Sequence, residues 1–324
     1  MIVVTGGAGF IGSAIVWELN NRGYHEIMVV DRLGTEKKWR NLRNLEIADY
    51  WDKQEFLAMA GNDDLPVKPE AILHLGACSA TTQEDADYLM RNNYQYTKYL
   101  ARYALEHDVR FIYASSAATY GDGELGYRDD HNLLSQLRPL NKYALSKYAF
   151  DLHALHNGWL DKIVGLKYFN VYGPNEYHKG EMRSVIHKSF GQAQNNGKIR
   201  LFKSHREDCA HGEQKRDFLY VKDAVNMSLF FLENPDVNGI FNIGCGEARS
   251  FNHLARAVFK TLDLPENVEY FDMPADIRDR YQYFTEADIS KLREAGYEKE
   301  IHTLEEGVAD YLNNYLLTDD PHLG

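Results

Sequence analysis

Cysteine is scarce: Cys78, Cys209 and Cys245 are the only three in 324 residues, an odd number with no Cys-x-x-Cys spacing. That excludes a disulfide scaffold and fits a reducing compartment, so the cytoplasm is the expected location. Long apolar runs are missing as well. No stretch reaches about 18 uninterrupted apolar residues, and the opening MIVVTGGAGF lacks a basic n-region and a small-residue cleavage site. Neither a membrane span nor an export signal is expected. Positive charge is the third shortage, with 36 Lys and Arg against 48 Asp and Glu and a formal net charge of -12. A nucleic-acid or anionic-membrane surface is thereby disfavoured. A few cations beside a helix N-terminus can still hold a small anion, because they act at short range while salt screens the rest.

What is present is a regular rhythm. Apolar runs at 2–4, 27–30, 71–75, 111–114 and 163–168 alternate with helix-length segments. Strands covered on both faces read as continuous apolar runs, so this is the pattern of βαβ units and an α/β, doubly wound parallel sheet. After about residue 170 the rhythm changes to polar loops, a helix-like 185–195, a polar stretch at 204–215 and short strands such as 239–243, which suggests a second, smaller α+β substrate domain. The run DFLYVKDAVNMSLFFLEN has the apolar spacing of a helix that packs back on the first domain. The expected boundaries are therefore 1–169 with about 217–237 for dinucleotide binding, and the remainder of 170–324 for the substrate.

The strongest motif is TGGAGFIGS, in which Gly6, Gly9 and Gly12 follow an apolar strand and precede a helix expected over 13–22. Glycine permits the tight turn and lets the backbone approach a pyrophosphate at the helix N-terminus. Asp31 ends the second strand, where a carboxylate meets a ribose 2′-hydroxyl. This context makes the first domain Rossmann-type. Arg32, Lys37 and Lys38 beside Asp31 would suit a 2′-phosphate, so NAD and NADP both stay open on these residues.

Tyr143 and Lys147 in NKYALSK stand four apart, on one face of an expected helix, and YASSAATYG places Ser115 and Ser116 at the end of a strand. A phenol with an ordinary pKa of about 10 is a poor base at neutral pH, but a neighbouring lysine cation and an oxidised nicotinamide would lower it. Tyr143 could then take a proton as hydride leaves carbon.

Through TGGAGFIG, LGACSATT, YASSAATYG, YALSK and YFNVYGP the chain resembles the extended short-chain dehydrogenase/reductase superfamily. The resemblance implies nucleotide-sugar chemistry with a tightly held nicotinamide cofactor. Members that dehydrate sugar nucleotides carry an Asp-Glu pair where this chain has Ala117 and Ala118. Methyl groups cannot shuttle protons, which leaves epimerisation or simple reduction. The runs NVYGP followed by HKG, NNYQYTKYL and RYQYFTEADISKLREAGY resemble, more closely, the ADP-L-glycero-D-manno-heptose 6-epimerase family.

That family resemblance implies an isomerase of ADP-heptose, working at the exocyclic C6 with NADP (NAD possible) and no net redox change, for lipopolysaccharide inner-core precursors. It also implies a homo-oligomer, commonly a pentamer. The family's acid/base pair matches Tyr143 and Lys179, with Lys147 as the cofactor-binding lysine and Ser116 at the reacting oxygen. As a base, Lys179 needs desolvation and a nearby cation. The cofactor is expected against Gly6, Gly9, Phe10, Ile11, Gly12, Asp31, Arg32, Lys38, Lys53, Leu75, Gly76, Ala77, Cys78, Ser79, Asn92, Tyr143, Lys147, Val171 and Lys179. Substrate is expected against Ser116, Asn170, Glu181, Lys188, Phe202, Lys203, Ser204, His205, Arg216 and Tyr281, with the Arg216 fork suited to a diphosphate.

Two departures stand out. Glu181 occupies a position where the family has a small residue, two beyond Lys179, and is expected to alter that lysine's charge; Phe202, Lys203, Ser204 and His205 replace a Phe-Glu-Gly-Ser segment. His205, Cys209 and His211 lie on one polar loop without a fourth ligand, so no metal is expected. Competing readings are another nucleotide-sugar epimerase or reductase of the superfamily, or a catalytically silent dinucleotide-binding sensor.

Overall fold

The computed structural model describes residues 1–278 and 281–324, so Arg280 of the RYQYF run lies outside the described residues. Its strands are β1 (Ile2–Thr5), β2 (Ile27–Asp31), β3 (Asp49–Asp52), β4 (Ala71–His74), β5 (Arg110–Ser116), β6 (Val164–Tyr168), β7 (Asn170–Tyr172), β8 (Ile199–Phe202), β9 (Lys215–Tyr220), β10 (Gly239–Ile243), β11 (Ala248–Ser250) and β12 (Val268–Phe271). The first six and β10 form one sheet in the order β10-β6-β5-β4-β1-β2-β3, parallel throughout. The apolar runs explain why. β1, β2, β4, β6 and β10 are buried at every residue, as a sheet sandwiched between helices requires. Within β1, Ile2 and Val4 join the apolar cluster on one face and Val3 joins the cluster on the other.

Helix Phe10–Asn21 covers the first face together with helix Val221–Glu233, through Ala14, Ile15, Leu19, Val225 and Leu229. Helices Lys53–Gly61, Tyr96–Glu106 and Lys142–His156 cover the second, through Phe56, Leu100 and Phe150. The fold is a Rossmann-type doubly wound α/β sheet. Strand order reverses between β1 and β4, and the crevice beyond their carboxyl ends is where such sheets bind ligands. Among the described residues no helix is long and apolar enough to cross a membrane.

The smaller lobe holds a three-stranded sheet, β11-β9-β7, a two-stranded one, β12-β8, and helices Val185–Asn196, Phe251–Thr261 and Leu304–Tyr311. Among the described residues it has no separate core. The cluster on the first face runs from Val4 and Leu166 to Ile186, Leu254 and Tyr311 without interruption.

Three expectations change. The stretch 239–243, assigned to the substrate domain, is β10 and pairs with β6 in the large sheet, so that sheet's share of the chain extends past 237. The stretch from Asp217 is not helical from its start: Lys215–Tyr220 is strand β9, and only Val221–Glu233 packs back as a helix. The first helix begins at Phe10 rather than 13, because Gly9 adopts the extended N-cap conformation. Strand β3, with the sequence DYWD, has no counterpart among the expected strands; it lies on the sheet edge with one neighbour and polar ends, where an apolar run is not needed.

The return segment 281–291 is tied to the large sheet through Asn242, which is fully buried. Its amide donates to the carbonyls of Tyr127 (2.7 Å) and Asp288 (2.9 Å) and accepts from the Tyr120 hydroxyl (2.7 Å). Asn242→Ala strands these buried groups and should cost about 3 kcal/mol, read as a lower urea midpoint at unchanged m-value.

Candidate active site

The glycine turn forms where β1 meets β4. Gly6 has φ +67°, and a Cβ there would lie 2.7 Å from the Gly76 backbone; a Cβ on Gly12 would lie 2.1 Å from the Gly6 carbonyl oxygen. Neither space admits a side chain. The helix that follows has no side-chain cap, so its first N–H groups are free for an anion. Asp31 closes the other side: Oδ2 accepts from the Ala8 N–H (2.9 Å), and Oδ1 accepts from the Arg32 N–H (2.6 Å) and from Lys38 Nζ (2.6 Å).

A cavity of about 760 Å³ extends from this turn to Arg216 in the smaller lobe. Every residue expected at the cofactor lines it, as do Ser116, Asn170 and Arg216. The other expected substrate residues are not on its wall. Phe202 and Tyr281 form a layer behind Arg216, which stacks 5.0 Å from the Tyr281 ring and 5.7 Å from Phe251. Glu181 and Lys188 pair with each other (3.5 Å) in solvent, and Lys203 pairs with Asp272 (3.4 Å). Ser204 and His205 are engaged elsewhere, the Ser204 N–H donating to His211 Nδ1 (3.1 Å) in its own loop and the His205 N–H to the Tyr283 hydroxyl of the return segment (2.9 Å). The residues that differ from the family pattern, Lys203, Ser204 and His205, therefore stand off the cavity wall.

Arg216 is buried, its Nη1 donates to the Lys215 carbonyl (2.8 Å), and no carboxylate among the described residues pairs with it. Burial lowers its pKa. A desolvated, unpaired guanidinium on a cavity wall is suited to an anionic ligand.

Tyr143 and Lys147 extend from helix Lys142–His156, whose N-terminus is capped by Asn141 through the Ala144 N–H (2.8 Å). Lys147 Nζ donates to the Ala114 carbonyl (2.8 Å), and burial pushes its pKa down to about 8. Burial raises that of Tyr143, and a hydrogen bond with Ser116 opposes the rise. Burial thus favours the neutral phenol of Tyr143, and a cation nearby is what would favour its phenolate.

Lys179 is not a surface lysine. It lines the cavity, its Nζ lies 5.3 Å from the centre of the Phe10 ring, and burial lowers its pKa. The carboxylate that opposes this shift is Glu176, not Glu181 as expected from the sequence, because Glu181 points into solvent. Glu176 is buried and accepts from the Ser184 hydroxyl (2.7 Å), the Ser184 N–H and the Tyr311 hydroxyl (3.1 Å). Asn175 accepts from the Leu323 N–H (3.1 Å), and the Tyr177 hydroxyl donates to the Pro321 carbonyl (2.6 Å). Contacts distant in sequence thereby hold the lysine loop.

Asn93 is a site residue that the sequence reading does not pick out. It is fully buried in a π-helical turn, Met90–Gln95, and joins the loop after β4 to the Tyr143 helix: its side chain accepts from the Cys78 N–H (2.8 Å) and donates to the Ser146 hydroxyl (3.0 Å), which donates to the Tyr143 carbonyl (2.7 Å). The doubled Asn of NNYQYTKYL, polar within a helical apolar pattern, is its available signal.

A sequence profile of the NAD dependent epimerase/dehydratase family matches residues 2–244. The ADP-L-glycero-D-manno-heptose-6-epimerase of Nitratidesulfovibrio vulgaris is 53% identical over 323 residues, covering 100% of each chain. The chain belongs to this epimerase family. The crystal structure of the Helicobacter pylori ADP-L-glycero-D-manno-heptose-6-epimerase superposes with a TM-score of 0.80 at 26% identity, covering 97% of this chain and 95% of that one. The UDP-glucose 4-epimerase of Thermus thermophilus, solved in complex with NAD, gives 0.74 at 25% identity over 96% of this chain and 97% of that one. The cavity fits the nicotinamide dinucleotide of an NAD dependent epimerase, since a Cβ would fill the cradle at Gly6 and Gly12 and the helix N-terminus beyond is uncapped.

Gly12→Ala should fold yet lose the dinucleotide, checked by absorbance of the nucleotide retained after gel filtration. His74 is fully buried between the Thr5 (2.6 Å) and Thr97 (2.9 Å) hydroxyls, and burial depresses its pKa from 6.5 to about 3. The unfolded chain binds this proton first, so the stability from neutral His74 is present above pH 6.5 and is lost as pH falls toward about 3. His74→Gln, which cannot charge, should show a shallower loss of stability than the wild type across that window in urea titrations.

Proposed function

We propose that the protein interconverts ADP-D-glycero-β-D-manno-heptose and ADP-L-glycero-β-D-manno-heptose by transient oxidation at C6 with bound NADP. The observation that carries this reading is a second desolvated proton handler: Lys179 shares one cavity with Ser116, Tyr143 and Lys147. A nicotinamide held along the glycine turn and beside Lys147 would supply reversible hydride transfer at C6. Tyr143 removes the hydroxyl proton in one orientation of C6, Ser116 hydrogen-bonds the reacting oxygen, and the Lys147 cation favours the phenolate. Rotation about C5–C6 turns the other face of the ketone to the cofactor, and Lys179 then serves the proton in that orientation. Arg216 engages the diphosphate and Asn170 the sugar. Ala117 and Ala118 offer no second acid/base for dehydration, which counts against loss of water.

The cations Arg32, Lys38 and Lys53, set among Asp31 and Asp52, favour NADP over NAD. Lys38 and the Arg32 N–H already occupy Asp31 Oδ1, and the charges of Arg32 and Lys38 help lower the pKa of Lys53. Such a cluster is better matched by a 2′-phosphate than by a hydroxyl. The product serves lipopolysaccharide inner-core synthesis from the cytoplasm, and the assembly is a homo-oligomer, by resemblance a pentamer.

The test is incubation with ADP-D-glycero-β-D-manno-heptose and no added cofactor, following C6 configuration by NMR. Conversion is expected; no conversion, with turnover of UDP-glucose instead, overturns the reading. Tyr143→Phe and Lys179→Met should each lose on the order of 100-fold in kcat while keeping the cofactor. Mass spectrometry of the cofactor released on denaturation should find NADP; NAD alone refutes the cation argument.

A further inference from the structure

Directly behind the redox centre lies an ion pair with no access to solvent. Asp151 and Lys167 are both 0% exposed and meet at 2.8 Å. Asp151 Oδ2 also accepts from the Ser115 hydroxyl (2.7 Å), and Oδ1 accepts from the Tyr113 hydroxyl (3.0 Å). Lys167 Nζ donates to Thr119 Oγ1 and lies 4.9 Å from the Tyr120 ring centre, while the Thr119 hydroxyl donates to the Ser116 carbonyl (2.7 Å). A buried ion pair is weak ground for stability, since apolar residues of the same shape often serve as well or better. Its place suggests what else it does.

Asp151 lies one helical turn beyond Lys147 and two beyond Tyr143, on the same helix face. Its other contacts are on β5, whose Ser115 and Ser116 line the cavity. The Lys147 cation donates to a backbone carbonyl and has no carboxylate in direct contact among the described residues. The titratable groups around it are Tyr143 and Asp151 on its own helix, Cys78 after β4, His74 on β4, and Lys167 on β6 behind Asp151. Asp151 is the carboxylate among them, and its charge opposes the burial that would otherwise strip Lys147 of its proton.

We propose that Asp151 is a positioning residue for the reaction: through its charge it holds Lys147 as a cation, and through Ser115 it fixes the strand end that carries Ser116, with Lys167 compensating its burial. The proposal rests on the assignment of Tyr143 and Lys147 as the redox centre.

The experiment is a lysine titration by NMR on holoenzyme carrying ¹³C at lysine Cε, with the Lys147 signal assigned by Lys147→Arg, beside the pH profile of kcat/KM. In the wild type the Lys147 midpoint and the alkaline limb should coincide, below the ordinary lysine range. Asp151→Asn should move both to lower pH by on the order of one unit. Because that variant leaves Lys167 uncompensated and can fail to fold, Asp151→Asn with Lys167→Met is the second arm: the neutral pair should recover stability while the midpoint stays displaced. An unchanged midpoint in either folded variant overturns the proposal and makes the pair structural. If the wild type does not epimerise the heptose, the functional reading falls, and the titration still decides this one.

Discussion

Desolvation of positive charge is the constraint around which the molecule is arranged. An acidic chain places Lys53, Lys147, Lys179 and Arg216 on one cavity, and burial is the main cause of the lowered proton affinity of each. Anionic groups outnumber cationic ones over the whole sequence, yet direct pairing with them is withheld from Lys147 and Arg216 among the described residues. Asp31 stands on the cavity wall and pairs with Lys38, while Glu176 beneath the Lys179 loop and Asp151 behind Lys147 act from outside it. Cations left without partners keep their capacity for phosphate and for proton transfer, and the carboxylates placed at one remove keep them from discharging altogether.

Placing charges in this way demands a rigid surround, which the backbone supplies. The close approach of Gly6 to Gly76 brings the turn after β1 and the loop after β4 into contact at the switch point. Asn93 then ties the β4 loop to the Tyr143 helix. On the other side, β6 passes through the single residue Phe169 into β7, and β7 pairs with β9, the strand that carries Arg216. The redox residues and the cation of the smaller lobe are thus joined by a short continuous path of backbone, consistent with a core that does not divide between the lobes.

Local pattern is enough for the parts of this arrangement that depend on local chemistry. Buried parallel strands must be apolar throughout, so 2–4, 27–30 and 163–168 declare themselves; the glycine turn and the four-residue spacing of Tyr143 and Lys147 do so for the same reason. Family resemblance locates Lys179, but not its environment. Glu176 and Asn93 read as ordinary polar residues, because their burial is imposed by partners such as Tyr311 and Ser146 that lie far along the chain. β10 reads as part of the smaller lobe since a five-residue apolar strand does not reveal which sheet it joins, and β3 escapes notice since an edge strand is free of the apolar requirement.

The same reasoning separates the two lysines of the site. Lys147 sits in a regular helix packed on the central sheet, with its Nζ held by the Ala114 carbonyl of β5, so its geometry is inherited from the fold. Lys179 sits in a short 3₁₀ segment, Tyr177–Met182, whose position comes from Glu176, from Tyr311 in the last α-helix and from the backbone at Pro321 and Leu323. A lysine held this way can be re-aimed without disturbing the sheet. Under the proposed mechanism, the fixed role beside the cofactor falls to the helix that carries Tyr143 and Lys147, and the role of meeting a turned substrate group falls to the loop that carries Lys179.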